Sequence, residues 1–347
     1  MVKAIMCLLL LCTAGIALQG YGTTSPDGKG APRDENGRFA NGVGEISHGA
    51  FGVRARFILR RFGTYFRSKA GAPKRSANAG QSLLNDAGGG VAAVTWIGHS
   101  SLLIQMGQVT FLTDPVWSDR PSPIPFIGPS RFVEPGVAID DLPPIDFVLI
   151  SHNHYDHLDL PTLKVLARRN AGTKFFVPLG NAEVLRKHGI TRVEELDWRQ
   201  SKEFLGVMVY CLPAQHWSKR SLADDNRALW ASWAVIGSDK RFYFAGDTGY
   251  FSGFKRIGRQ LGPFDLAAVP IGAYEPRQMM RDSHMNPEEA VSAARDLKAD
   301  KALAMHFGTF DLSDEPLAEP PQRFAVAAAK AGVSGAWILN VGETRHF

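Results

Sequence analysis

The segment Ser151-His152-Asn153-His154-Tyr155-Asp156-His157 places three imidazoles and one carboxylate within six residues. Nitrogen and oxygen donors of these types suit zinc and similar divalent ions. His152 and His154, two apart in an extended loop, point the same way towards one ion, while Asp156 and His157 turn to a second ion close by. Two ions need more donors than one loop supplies, and three downstream candidates share a pattern. His216 follows the apolar run Val207–Leu212, Asp247 follows Arg241–Ala245, and His306 follows Ala302–Met305. Asp247 lies in Ala245-Gly246-Asp247-Thr248-Gly249, where glycine permits a tight turn and a close approach. Taken singly, His216 and His306 read equally as core or surface imidazoles, and Asp247 as a turn former. Together with the histidine-rich segment they complete two three-residue sites and a bridge. Two ions a few ångströms apart lower the pKa of a shared water and offset charge that develops on a substrate's oxygens. The expected chemistry is hydrolysis by a metal-bridging hydroxide, with no serine or cysteine nucleophile required.

Such donors need rigid supports, and the surrounding pattern provides them. Phe147-Val148-Leu149-Ile150 reads as a buried strand that delivers the histidine-rich segment at its C-terminal end. Other strand-like runs occupy 91–97, 101–106, 109–113, 175–177, 207–212, 231–236, 241–245, 266–270 and 302–305. Helical periodicity appears over 160–169, 182–188, 287–297 and 321–331. Early strands come as hairpins and later ones alternate with helices. That mixture implies two sheets with helices outside them, an α/β sandwich forming one domain over residues 91–347.

Composition is that of a folded protein: of 347 residues, 45% are hydrophobic and 21% charged. The net charge of +5 is unevenly distributed. Residues 1–90 hold 12 Lys/Arg against 5 Asp/Glu, leaving 27 against 29 in the remainder. A nearly neutral catalytic portion argues against a nucleic-acid partner, whose phosphates a binding face would have to neutralise. Cys211 stands alone beyond the first apolar stretch, so no intrachain disulfide framework arises there, and its alternating surroundings place it in the core. Trp217, Trp230 and Trp233 are read chiefly as core, with pocket lining as the other assignment.

The first 20 residues combine Lys3 with an apolar run from Ala4 to Leu18, which is short for a membrane span and suited to a secretory signal. The expected location is therefore exported, periplasmic or membrane-associated. Residues 21–90 read as linker interrupted by one element, a basic amphipathic helix over Phe51–Phe66. Phe51, Ala55, Ile58, Leu59, Phe62, Tyr65 and Phe66 share one face, with Arg56, Arg60 and Arg67 opposite. No acidic residue occurs between Glu45 and Asp86, whereas eight Lys/Arg do. This helix fits an anionic membrane surface, or else its apolar face docks on the main domain.

The motifs become specific when taken together. Thr95-Trp96-Ile97-Gly98-His99, Leu112-Thr113-Asp114-Pro115, Ile150 to Asp159, Gln215-His216-Trp217, Phe244 to Tyr250, Pro270 to Arg277 and His306-Phe307-Gly308-Thr309-Phe310 resemble the metallo-β-lactamase superfamily. Within it they are similar to phospholipases D that hydrolyse N-acylphosphatidylethanolamine and to their bacterial relatives. The resemblance spans about residues 91–347. It implies a four-layer αββα sandwich and two zinc ions, other divalent metals being possible. His152, His154 and His216 would bind one ion, Asp156, His157 and His306 the other, and Asp247 both. The implied substrate is a phospholipid, cleaved to phosphatidic acid and an N-acylethanolamine. A lactonase or small-phosphodiester hydrolase on the same fold is the first alternative, and a non-catalytic metal-binding envelope protein the second.

Asn286, Pro287 and Glu289 read as N-cap, first helical position and capping-box partner. His284 thus precedes a helix N-terminus that favours a bound phosphate, and the resemblance implies that it contacts substrate. An exposed loop histidine is the plainer assignment. His99 and Asp114 fit either turn positions or hydrogen-bonding partners that orient the metal ligands.

Overall fold

The computed structural model describes residues 30–42, 44–63, 72–76, 92–124 and 126–347. The expected export segment and most of the second linker lie outside these residues, as do Tyr65, Phe66 and Arg67 of the amphipathic stretch.

Two seven-stranded sheets form the centre. The first starts as an antiparallel meander of β1 (Ala93–Gly98), β2 (Ser101–Met106) and β3 (Val109–Thr113), then continues in parallel through β4 (Phe147–Leu149), β5 (Lys174–Pro178) and β6 (Val193–Leu196). The second repeats this plan. Strands β7 (Ser201–Phe204), β8 (Val207–Leu212), β9 (Ser232–Ile236) and β10 (Arg241–Phe244) are antiparallel, and β11 (Phe264–Pro270), β12 (Ala299–Met305) and β13 (Ala336–Trp337) extend it in parallel. The last strand, β14 (Thr344–His346), returns to pair with β1.

Alternation along the strands explains the layering. In β4, Phe147 and Leu149 face the second sheet, while Val148 packs outward with Leu163 and Leu166. Phe111 stacks on Phe147 at 4.5 Å and meets Phe242 of β10 edge-on at 5.8 Å, joining the sheets through their aromatic faces. Helix α1 (Phe51–Gly63) precedes this sandwich in the chain. Helices α2 (Leu160–Arg169) and α3 (Ala182–Arg186) cover the first sheet. The short α5 (Arg277–Met280) lies between α4 (Gly253–Gln260) and α6 (Pro287–Asp296); α4, α6 and α7 (Glu319–Lys330) cover the second sheet. The result is the expected αββα order.

Strands β1, β3 and β4 run in one direction, as do β8, β10, β11 and β12, so their C-terminal ends share one edge of the sandwich. That edge collects the polar residues. The sheets are tied together there: the Trp233 indole N–H donates to the Ile150 carbonyl at 2.9 Å, and the Ala231 N–H to that of Ser151 at 2.8 Å. Trp230 and Trp233 are core, as is the fully buried Cys211, whose thiol pKa burial pushes up.

The N-terminal stretch departs from the linker reading. Ala31 and Phe39 are buried, and residues 74–76 pair with Val341, because a few apolar side chains and backbone groups find partners on the main domain. Helix α1 docks by the side bearing Arg61, which donates to the Ser313 carbonyl and pairs with Asp311 at 2.8 Å. Phe51 and Leu59 remain exposed. Among the described residues, no helix is long and apolar enough to cross a membrane.

Candidate metal centre

The loop that leaves β4 folds back through a turn in which the N–H groups of His157 and Leu158 donate to the His154 carbonyl. Arg220 clamps this loop from outside. Its guanidinium donates to the carbonyls of Asn153 and Leu158, both at 2.9 Å, and lies 4.0 Å from the Tyr155 ring centre. His216, Asp247 and His306 enter from the ends of β8, β10 and β12. At the Asp247 turn, Gly246 has a φ of +59° and its Cα faces the Ser151 side chain so closely that a Cβ would collide with it. His99, Asp114 and His306 also have positive φ, at 52°, 33° and 60°. Non-glycine residues hold that conformation at a cost of roughly 1–3 kcal/mol, and it is over-determined here. The His99 N–H donates to Thr309 Oγ1 at 2.7 Å, and the His306 N–H to the His99 carbonyl at 3.1 Å.

All seven expected ligands come together, in two groups. In the first, His154 Nδ1 lies 2.8 Å from His152 Nε2 and 3.3 Å from His216 Nε2. The edge of a tetrahedron built on zinc–nitrogen bonds of 2.0–2.1 Å is about 3.3 Å, so the spacing fits. In the second, His157 Nε2 lies 3.4 Å from Asp156 Oδ2, and His306 Nε2 lies 3.7 Å from the same oxygen. Asp247 Oδ2 stands between the groups, 3.0 Å from His306 Nε2, 3.2 Å from His157 Nε2 and 4.0 Å from His216 Nε2.

In the second group and at Asp247, close approach leaves donor atoms without hydrogen bonds. Nε2 of His157, Nε2 of His306 and Oδ1 of Asp247 are buried without a hydrogen-bond partner. Donor atoms that crowd together without pairing are aimed at common points, which is how ligands to an ion are arranged. The residues therefore fit divalent metal.

Hydrogen bonds on the far side of the rings set this orientation. His157 Nδ1 bonds to Asp114 Oδ2 at 2.6 Å, and His152 Nδ1 to Ser151 Oγ at 2.8 Å. Ser151 in turn donates its hydroxyl to Asp114 Oδ2 at 2.5 Å and its N–H to Oδ1 at 2.7 Å. His216 Nδ1 bonds to the Ser283 carbonyl at 3.0 Å. Each bond leaves Nε2 presented to the centre. Asp114 and His99 thus orient the candidate ligands, His99 Nε2 lying 3.0 Å from Asp156 Oδ2. Ser151 and the Ser283 carbonyl were not distinguishable from their residue types, since serine beside a ligand is common without such a role.

Charge follows the same division. Burial lowers the pKa of His152 and His216 well below the ordinary imidazole value, keeping them neutral. Burial also opposes charge on His157, but the carboxylates of Asp247, Asp156 and Asp114 outweigh it and raise that pKa. For Asp156 and Asp247, burial disfavours ionisation, yet neighbouring imidazoles hold both well below the usual carboxylate range. The second group is thus the more anionic environment, suited to a cation.

His284 lies beside the centre, its Nδ1 3.8 Å from Asp247 Oδ2, and burial pushes its pKa down to about 4. The expected capping box is present, with the Glu289 N–H donating to Asn286 Oδ1 at 2.8 Å and the Asn286 N–H to Glu289 Oε2 at 3.0 Å. Glu289 also pairs with Arg277, which donates to the His284 carbonyl at 3.0 Å. A cleft of about 300 Å³ opens above the centre, with Tyr155, Trp217, Lys219, Met280, His284 and Leu312 in its walls. Trp217 belongs to this cleft rather than to the core, because it directly follows a ligand and its ring lies 4.3 Å from that of His154.

Comparison with known proteins gives a consistent family. Residues 110–307 match the beta-lactamase superfamily domain. The chain is similar to an N-acyl-phosphatidylethanolamine-hydrolyzing phospholipase D of Caenorhabditis elegans, 46% identical over 228 residues. That alignment covers 63% of this chain and 64% of the nematode enzyme, so the chain spans under two thirds of that relative's length. A metal-dependent hydrolase of Listeria monocytogenes is 30% identical over 253 residues, 72% of this chain and 97% of that protein. Among solved structures, a metallo hydrolase of Ignicoccus hospitalis shares the fold with a TM-score of 0.58 at 23% identity, over 74% of this chain and 98% of that one.

Proposed function

This chain belongs to the metallo-β-lactamase superfamily and is a metal-dependent hydrolase, and we propose that it is a zinc phosphodiesterase of the phospholipase D type acting on N-acylphosphatidylethanolamine-like phospholipids. The observation that carries this reading is the position of Asp247 Oδ2 between two donor groups at the floor of the cleft. Two divalent ions bound there would acidify water and offset charge on phosphoryl oxygens. Asp247 holds the groups in register, and the hydrogen bonds that Nδ1 donates to Asp114, Ser151 and the Ser283 carbonyl keep three imidazoles presenting Nε2. His284, neutral and open to the cleft, can hydrogen-bond a substrate oxygen beside Asp247. Apolar walls at Trp217, Met280 and Leu312 suit the lipid part of a substrate.

The proposal extends to a membrane surface as partner and to export directed by residues 1–20. Support for the membrane surface is the docked helix α1, which leaves Phe51 and Leu59 exposed beside Arg56 and Arg60, and support for export is Lys3 followed by the apolar run from Ala4 to Leu18. The hydrolase relatives set aside the non-catalytic alternative. Purified full-length protein, loaded with zinc and given N-acylphosphatidylethanolamine or sugar lactones in parallel, tests the substrate. Release of phosphatidic acid and N-acylethanolamine is expected; turnover of lactones alone would sink the lipid reading.

A further inference from the structure

The segment before helix α1 reaches the centre from outside the sandwich. Phe39 is 3% exposed, its N–H donates to the Asn226 carbonyl at 2.8 Å, and the Arg33 guanidinium lies 3.7 Å from its ring centre. Farther back, the Ala31 N–H donates to Asp197 Oδ1 at 3.0 Å. These anchors deliver Asn41 to the backbone of a ligand. Asn41 Nδ2 donates to the His216 carbonyl at 2.9 Å, and the His216 N–H donates to Asn41 Oδ1 at 3.0 Å. The Trp230 indole N–H also donates to that oxygen at 3.1 Å, fixing the amide in its plane. Beyond Asn41, the His48 ring lies edge-on to Trp217 at 5.5 Å, and Trp217 packs on His154. The strap therefore bears on two members of one donor group, His216 directly and His154 through an indole. Asp156, His157 and His306 are held from within the sandwich, by the His99 ring, by Asp114 and by the His99 carbonyl.

We infer that residues 30–42 and 44–49 form a positioning strap for the group His152, His154 and His216, with Asn41 as its positioning residue. The inference rests on the two-group reading of the centre. The side-chain amide suits this role, because it carries donor and acceptor in one plane and so pairs with both backbone groups of His216. With the backbone held by Asn41 and Nδ1 by the Ser283 carbonyl, Nε2 has one direction in which to point. Removing the amide leaves the His216 backbone with two lost bonds and the ring held only through Nδ1. Loss of such an outer support lowers metal affinity by about 10–100-fold.

The test uses full-length wild type, Asn41→Ala and Phe39→Leu, each loaded with cobalt(II). Chelator titration is followed by released cobalt and by the visible spectrum, with thermal unfolding measured on the same samples. Asn41→Ala should release one of its two ions at about 10–100-fold lower chelator concentration and the other as wild type does. Phe39→Leu should act in the same direction with a smaller shift, and it decides the matter alone if Asn41→Ala does not fold. Wild-type retention of both ions, or equal weakening of both, overturns the strap while leaving the two-ion reading intact. A wild-type chain that binds a single ion overturns both.

Discussion

His152, His157 and His216 at the floor of the cleft each have one ring nitrogen held in a hydrogen bond, whereas Phe51, Leu59 and Leu222, on segments bordering its mouth, are 77%, 69% and 70% exposed. The floor hangs from strand ends of two sheets and is braced by buried side chains. The rim is carried by a docked helix and by the loop after Lys219 and Arg220. Positioning of the chemistry and display of apolar side chains are thus built on separate supports. The sheets hold the donor atoms in place, and the rim exposes three large apolar side chains. Damage to one region should leave the other intact, and each expectation below bears on that separation.

The largest effect belongs to Asp247. Asp247→Asn keeps the shape and removes the charge that faces His157, His216 and His306. Hydrolysis of a soluble phosphodiester should fall by about 1,000-fold or more, as expected when several kcal/mol of electrostatic stabilisation is lost, and bound metal should fall below two equivalents. Binding to vesicles should not change. Full activity with one ion would end the bridging role.

Next comes Asp114, whose carboxylate receives bonds from His157, from the Ser151 hydroxyl and from the Ser151 N–H, all buried. Asp114→Ala leaves these donors unpaired at about 1–3 kcal/mol each before relaxation, so a loss of about 3 kcal/mol in denaturant unfolding is expected. Metal affinity should fall by roughly 10–100-fold. A variant as stable as the parent would show that the floor is braced elsewhere.

The contrast also explains what was legible in the residues. The candidate ligands were readable because metal binding demands particular donors and because they follow short apolar runs that mark buried strands. The sandwich was readable for the same reason: β2, β3, β8 and α2 match the expected spans. Strand β7 (Ser201-Lys-Glu-Phe204) escaped because its exposed polar residues carry no alternation. Helix α4 escaped because only Phe254 and Ile257 mark its buried face among glycines and charges. Asn41 was hidden most deeply, in a stretch whose Gly, Pro, Asp and Asn read as linker. A side chain that bonds to backbone leaves no periodic trace.

The smallest effect lies at the rim. Fully burying a Leu or Phe side chain contributes roughly 1.5–3 kcal/mol, and side chains that enter only the headgroup boundary gain part of that. The triple change Phe51→Ser, Leu59→Ser, Leu222→Ser should therefore weaken partitioning onto anionic vesicles by roughly tenfold or more, read by sedimentation. Raising salt should weaken the binding of both proteins, because Arg56 and Arg60 act through charges that salt screens, and the pairing of Arg60 with Asp314 at 3.1 Å is an exposed one of small worth. Turnover of a soluble phosphodiester serves as the control, because these side chains lie away from the donor groups. Unchanged partitioning with unchanged turnover would mean that α1 only docks, and that the rim's apolar surface serves some partner other than lipid. Loss of both together would mean that floor and rim are mechanically one, contrary to their separate supports.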